Sequence, residues 1–172
     1  IAAAKGRVKI FANYAVGYDN IDIQAAAEAG IFVSNTPGVL TEATADLAWA
    51  LLLAVSRRLI PAHNDTLAGK FKGWHPTAYL GRDFSGATLG LVGAGRIGQA
   101  TARRARGFGM KMLYYNRSPK PVFEAECGAR QVDLETLLLE SDFVSLHLPL
   151  NKETVGLLNA QRLELLKPTA VL

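Results

Sequence analysis

The stretch Thr88–Gly98, reading TLGLVGAGRIG, limits what this chain can fold into more than any other part of it. A short apolar run of strand length leads into Gly93-Ala94-Gly95-Arg96-Ile97-Gly98, the pattern G-x-G-x-x-G, and a helical pattern follows it. Each glycine has its own task. Gly93 permits a tight turn off the strand, Gly95 leaves bare backbone for a pyrophosphate to approach, and Gly98 lets the helix pack close to the strand. Arg96 and Ile97 open that helix, whose N-terminus offers free N–H groups and partial positive charge to phosphate. Glycine-rich turns are common, so the motif alone is weak. Its place between a strand and a helix, at the start of a β-α-β unit, makes it a dinucleotide site.

The end of the next strand, Lys111–Tyr115, indicates which dinucleotide. A site preferring NAD(H) carries an acidic residue about 20 positions after the glycines, bonded to the ribose 2′-hydroxyl. Here the chain reads Asn116-Arg117-Ser118, with no carboxylate. The planar fork of Arg117 suits a 2′-phosphate through paired charge-assisted hydrogen bonds, and Asn116 and Ser118 can add neutral ones. NADP(H) is therefore favoured over NAD(H), against the plainer reading of Arg117 as an ordinary exposed loop arginine. His147 lies at the carboxyl end of another strand, the edge where doubly wound sheets bind ligands. It is read either as a neighbour of the cofactor or as a histidine satisfied within packed loops. His63 and His75 carry no recognisable chemistry.

Around this motif the chain alternates strands and helices. Val8–Ala12, Ile31–Ser34, Thr88–Val92, Lys111–Tyr115, Ala129–Val132 and Phe143–Leu148 read as strands, with another opening at Thr169. Helices are expected over Ile23–Ala29 (capped by Asp22), Thr41–Leu59, Ile97–Phe108, Val122–Glu126, Leu134–Leu139 (capped by Asp133) and Ala160–Leu166 (capped by Asn159). Thr41–Leu59 is apolar almost all round, which implies burial between domains or subunits, and Pro61 stops or bends it. Residues 62–87, with Phe71, Trp74 and Tyr79, read as a surface connection gripping a partner. The alternation predicts an α/β fold with a doubly wound parallel sheet.

Composition excludes several classes. The formal charge is +4, and the arginines 103, 104 and 106 lie along one helix without interleaved aromatics, so nucleic acid binding is not expected. The one cysteine, Cys127, rules out an internal disulfide or a multi-cysteine metal site. No secretory leader is evident, and the apolar run Leu47–Val55 is too short to span a bilayer, so no membrane partner is expected and a cytoplasmic protein is the default. Ile1 and the unfinished strand at Leu172 read as the ends of a fragment of a longer chain.

NYAVGYDNID (Asn13–Asp22), NTPGVLTEATADLAWALLL (Asn35–Leu53), GWHPT (Gly73–Thr77), LGLVGAGRIGQA (Leu89–Ala100), YYNRS (Tyr114–Ser118) and SDFVSLHLPLNKET (Ser141–Thr154) come in one order along the chain. From about Val8 to Leu172 it resembles the D-isomer-specific 2-hydroxyacid dehydrogenases, in their glyoxylate/hydroxypyruvate reductase branch. The resemblance implies an NAD(P)-binding Rossmann domain (88–172, incomplete) and a partial flavodoxin-like substrate domain (1–40), joined by a crossing helix and arm (41–87). It implies a homodimer formed through the nucleotide domain. It also implies substrate carboxylate binding by loop N–H groups at Val16 and Gly17, and cofactor contacts from Thr44, Arg96, Ile97, Leu148 and Pro149. The family's substrate-holding arginine, proton-donating histidine and orienting glutamate are expected beyond Leu172, so no catalytic residue is assigned within this chain. The expected activity of the parent is NADPH-dependent reduction of a small 2-keto acid. The alternatives are a non-catalytic dinucleotide-sensing protein and an NAD-dependent phosphoglycerate or formate dehydrogenase relative.

Overall fold

Parallel strands need long crossovers, and this sequence supplies a helix after most of its strand runs. A computed structural model describes residues 1–172. They form two compact units, Ile1–Leu40 with Pro149–Leu157, and Thr41–Leu148 with Leu158–Leu172.

In the first unit, β1 (Ile10–Ala12) and β2 (Phe32–Ser34) pair in parallel across α1 (Ile23–Glu28). Asp22 caps α1 by accepting from the Ala25 N–H at 2.9 Å. Gly30, at φ +69°, lets the chain reverse after it. The strand expected from Val8 begins only at Ile10.

The second unit contains α2 (Thr41–Ser56), α3 (Leu59–Leu67), β3 (Thr88–Val92), α4 (Arg96–Ala105) and β4 (Lys111–Tyr115). It continues through α5 (Pro121–Cys127), β5 (Arg130–Gln131), α6 (Leu134–Glu140), β6 (Phe143–Leu146) and α7 (Ala160–Leu163). Its four-stranded sheet runs β5-β4-β3-β6, all parallel. Leu89, Leu91 and Val92 of β3 are fully buried, as expected of a strand covered on both faces. The strand order reverses around β3, with β4 on one side and β6 on the other, and such a switch point is where doubly wound sheets hold ligands.

Several boundaries differ from expectation. Thr169–Leu172 forms no strand beyond a single bridge between Val171 and Phe143. β6 stops at Leu146, and α7 is shorter than Ala160–Leu166. α4 tightens into a 3-10 turn at Arg106–Phe108 before Gly109. Pro61 neither stops nor bends α2: that helix ends at Ser56, Arg58 takes a left-handed φ of +53°, and α3 starts at Leu59. Pro61 sits in the first turn of α3, where its missing N–H has no intrahelical partner to lose. The segment 62–87 thus begins as helix. It ends in the core, because Phe84 is buried against Phe143 with ring centroids 4.5 Å apart.

Within this chain α2 buries one face. Ala45, Trp49, Leu52 and Ser56 turn inward, and the Trp49 indole donates to the Thr101 carbonyl at 2.8 Å while stacking on Phe108 at 4.6 Å. Leu47, Leu51 and Val55, four residues apart, stay exposed at 59%, 59% and 62%. Arg104 of α4 pairs with Asp46 (2.6 Å) and Glu42 (2.9 Å) of α2, so much of that helix's cationic face is charge-compensated. No helix is long and apolar enough to cross a membrane.

Two carboxylates are held in their charged form by nearby donors. Asp133 caps α6, and the Thr136 N–H and hydroxyl hold its carboxyl below the usual range. Partial burial pushes Asp142 up, but the Lys167 ammonium at 2.8 Å and the Thr88 N–H at 2.9 Å outweigh it, so its carboxyl also lies low. A folded pKa below the unfolded one contributes stability above the unfolded value near 4 and loses it as pH falls through the folded value. Thermal melting should therefore show a falling midpoint below about pH 4, and Asp142→Asn should lower the midpoint at pH 7 while flattening that acid slope. An unchanged slope would remove Asp142 from this role.

Candidate dinucleotide site

The turn Gly93–Gly98 is built by close packing. Gly93 adopts φ +104°, and a Cβ there would collide with the His147 carbonyl oxygen and lie 2.9 Å from the Leu148 side chain. A Cβ on Gly98 would collide with the Gly93 carbonyl oxygen and sit 3.5 Å from the His147 Cβ. Around Gly95, by contrast, the space is open. Two glycines are thus required by the protein's own packing, and the third leaves an uncovered stretch of backbone. Gly95 is also the N-cap of α4 and supplies no side-chain cap, so the first-turn N–H groups of Arg96, Ile97 and Gly98 are available to an anion. An uncapped helix start over bare backbone fits a pyrophosphate.

The β4 end brings Asn116, Arg117 and Ser118 to the same edge of the sheet. The Gly93 N–H donates to the Tyr115 carbonyl at 2.9 Å, and the Ala94 N–H donates to Asn116 Oδ1 at 3.3 Å. Asn116 Nδ2 donates to the Ser118 carbonyl at 2.8 Å, while Gln131 Nε2 donates to the Asn116 carbonyl, also at 2.8 Å. Asn116 is half-buried and braces the loop to the glycine turn; Arg117 and Ser118 are exposed beyond it. The brace has no local signature in the sequence, because Gln131 lies on β5 and only strand pairing brings it to Asn116.

His147 stands just past β6, its N–H bonded to the Val92 carbonyl at 2.8 Å. Its Nε2 is 2.9 Å from Ser145 Oγ, and burial lowers its pKa, so the ring is neutral near pH 7. Thr44 of α2 lines the same apolar groove of about 390 Å³ as His147, with Leu47, Leu51, Leu146 and Val171. Leu148 is half-buried beside Gly93, and Pro149 falls in the first unit, where it is exposed and its carbonyl accepts from the Thr154 hydroxyl.

Val16 and Gly17 also lie in the first unit. Their carbonyls accept from Asn35 Nδ2 at 2.9 Å and Asn13 Nδ2 at 2.8 Å, and their own N–H groups form no backbone hydrogen bond within the chain. A side chain at Gly17 would meet the Asp19 carboxylate at 3.1 Å. No cluster of His, Cys, Asp and Glu is arranged to hold a metal.

The packing separates two kinds of glycine substitution. Gly95→Ala, with open space around its Cβ, should leave the melting temperature nearly unchanged but weaken NADPH and NADH binding about tenfold or more by blocking anion contacts. Gly98→Ala should lose binding and also destabilise the fold by about 1–3 kcal/mol through overpacking. Melting curves and cofactor titrations check both, and a Gly95→Ala protein with full affinity would contradict the site.

Residues 49–172 match the family model described as D-isomer specific 2-hydroxyacid dehydrogenase, NAD binding domain. A glyoxylate reductase from Thermococcus litoralis is 59% identical over 170 residues, covering 96% of this chain and 51% of that protein. Among solved structures, a glyoxylate reductase from Paecilomyes thermophila is 42% identical with a TM-score of 0.83, over 93% of this chain and 48% of that one. A D-lactate dehydrogenase from Aquifex aeolicus, complexed with NAD and lactic acid, is 33% identical with a TM-score of 0.86, over 94% and 48%. The chain spans about half the length of the curated relatives it matches. With the glycine turn at the switch point of a parallel sheet and these matches, the chain belongs to the D-isomer specific 2-hydroxyacid dehydrogenases and carries their nicotinamide dinucleotide-binding domain.

Proposed function

We propose that the parent protein reduces a small 2-keto acid, of the glyoxylate or hydroxypyruvate kind, to its D-2-hydroxy acid with NADPH as the preferred donor. The observation that carries the cofactor preference is Arg117, exposed just past β4 where an acidic residue would meet a ribose 2′-hydroxyl. The relative from Thermococcus litoralis, named glyoxylate reductase, supports the substrate class.

When bound, the nicotinamide supplies the hydride that reduces the keto carbon. The work of this chain is to hold and orient. The first-turn N–H groups of α4 and the bare backbone at Gly95 take the pyrophosphate, with Arg96 and Ile97 lying on it. Arg117 and Ser118 take the 2′-phosphate, held in place by Asn116. Thr44, His147, Leu148 and Pro149 border the cofactor, with His147 a neutral hydrogen-bonding group. Val16 and Gly17 offer loop N–H groups to the substrate carboxylate. The proton that completes the alcohol comes, on this reading, from outside these residues. A homodimer through the nucleotide domain is part of the proposal, supported by the exposed stripe Leu47, Leu51 and Val55 and by Trp74, 85% exposed.

Full-length protein mixed with NADPH and glyoxylate or hydroxypyruvate should lose absorbance at 340 nm; no loss with either acid would overturn the assigned reaction. Arg117→Ala should weaken NADPH binding about tenfold or more, the scale of a charged hydrogen bond, and leave NADH binding nearly unchanged. Equal weakening for both cofactors would refute the role of Arg117.

A further inference from the structure

The loop carrying Arg117 has both ends tied to one residue, Tyr114. Tyr114 lies fully buried in β4, one residue before that strand ends. Its backbone fixes where the loop begins, since it pairs with Leu91 on one side and Gln131 on the other, and its carbonyl accepts from the Val132 N–H at 3.0 Å. Its hydroxyl fixes where the loop ends. That hydroxyl donates to Glu124 Oε1 at 2.6 Å and accepts from the Lys120 N–H at 2.8 Å. Lys120 immediately precedes Pro121, the first residue of α5.

We propose that Tyr114 is a positioning residue for cofactor specificity: its buried hydroxyl, shared between Glu124 and Lys120, holds the loop Asn116–Pro119 in the shape that presents Arg117 to a 2′-phosphate. The proposal rests on the NADP(H) reading above. A phenol has a single proton, and here it is committed to the Glu124 carboxylate, leaving a lone pair for the Lys120 N–H. Burial pushes the phenol pKa up and Glu124 pushes it further, so the proton stays and the bonds keep their direction. The ring packs edge-on against Phe123 at 5.4 Å. A phenylalanine would keep that packing, so the hydroxyl's contribution is polar and directed at the loop. With Asn116 braced by Gln131 and Ala94 at the other end, a four-residue loop clamped at both ends has little freedom left to lose when it meets a ligand. NADH has a hydroxyl in place of the 2′-phosphate, so its binding does not depend on how Arg117 is held.

The test is Tyr114→Phe in the full-length parent, with Glu124→Ala and Glu124→Gln beside it. NADPH and NADH dissociation constants are measured by titration, and folding is checked by circular dichroism. Tyr114→Phe should weaken NADPH about fivefold, the worth of one net hydrogen bond, with NADH unchanged. Glu124→Ala should do the same, and Glu124→Gln, which keeps an acceptor for the phenol, should restore most of the selectivity. Should Tyr114→Phe fail to fold, the pair at half-buried Glu124 decides. Equal losses for both cofactors, or no loss for NADPH, would overturn the clamp while leaving the cofactor reading intact. A wild-type protein binding NADH as tightly as NADPH would overturn the cofactor reading, and the clamp with it.

Discussion

The site depends on backbone meeting backbone where a side chain would forbid it. Gly98 brings the first turn of α4 against the Gly93 carbonyl, and Gly93 brings the end of β3 against the His147 carbonyl. These approaches put the α4 N-terminus directly after the central strand, at the point where the strand order reverses. Packing at two glycines leaves the third, Gly95, uncovered, and an anion site follows from that geometry together with the helix dipole.

Charge is sorted around this frame according to task. Arg104 is held by Asp46 and Glu42, so it fastens α2 to α4, reinforced by the buried Trp49–Thr101 hydrogen bond. Arg117 projects from a loop whose neighbours, Asn116 and Lys120, are held by Ala94, Gln131 and Tyr114. The same residue type thus acts as a fastener on a helix and as a candidate ligand group on a braced loop.

Much of this was legible in the sequence, for local reasons. A strand, three spaced glycines and a helix follow one another within eleven residues, so β3, the turn and the start of α4 needed no tertiary knowledge. The caps at Asp22, Asp133 and Asn159 were equally local and appear as side-chain bonds to the backbone. What was not legible depends on distant partners. The Gln131 brace needs β5 beside β4, and the Tyr114–Glu124–Lys120 network needs α5 folded back on its strand. Helix α3 was hidden by Pro61, whose helix-breaking signal reverses when it sits in a first turn. The single bridge at Val171 shows how an apolar run can read as a strand while pairing at one position.

We propose that one surface of this chain, from Gly93 to Gly98 and across to Arg117, binds NADPH by its pyrophosphate and 2′-phosphate. A crystal structure of the full-length protein with NADPH tests it most directly. The pyrophosphate should lie over the bare backbone at Gly95, bonded to first-turn N–H groups of α4, with the 2′-phosphate within hydrogen-bonding distance of the Arg117 guanidinium. A pyrophosphate seated away from the glycine turn, or a 2′-phosphate directed into solvent with Arg117 turned elsewhere, would contradict it.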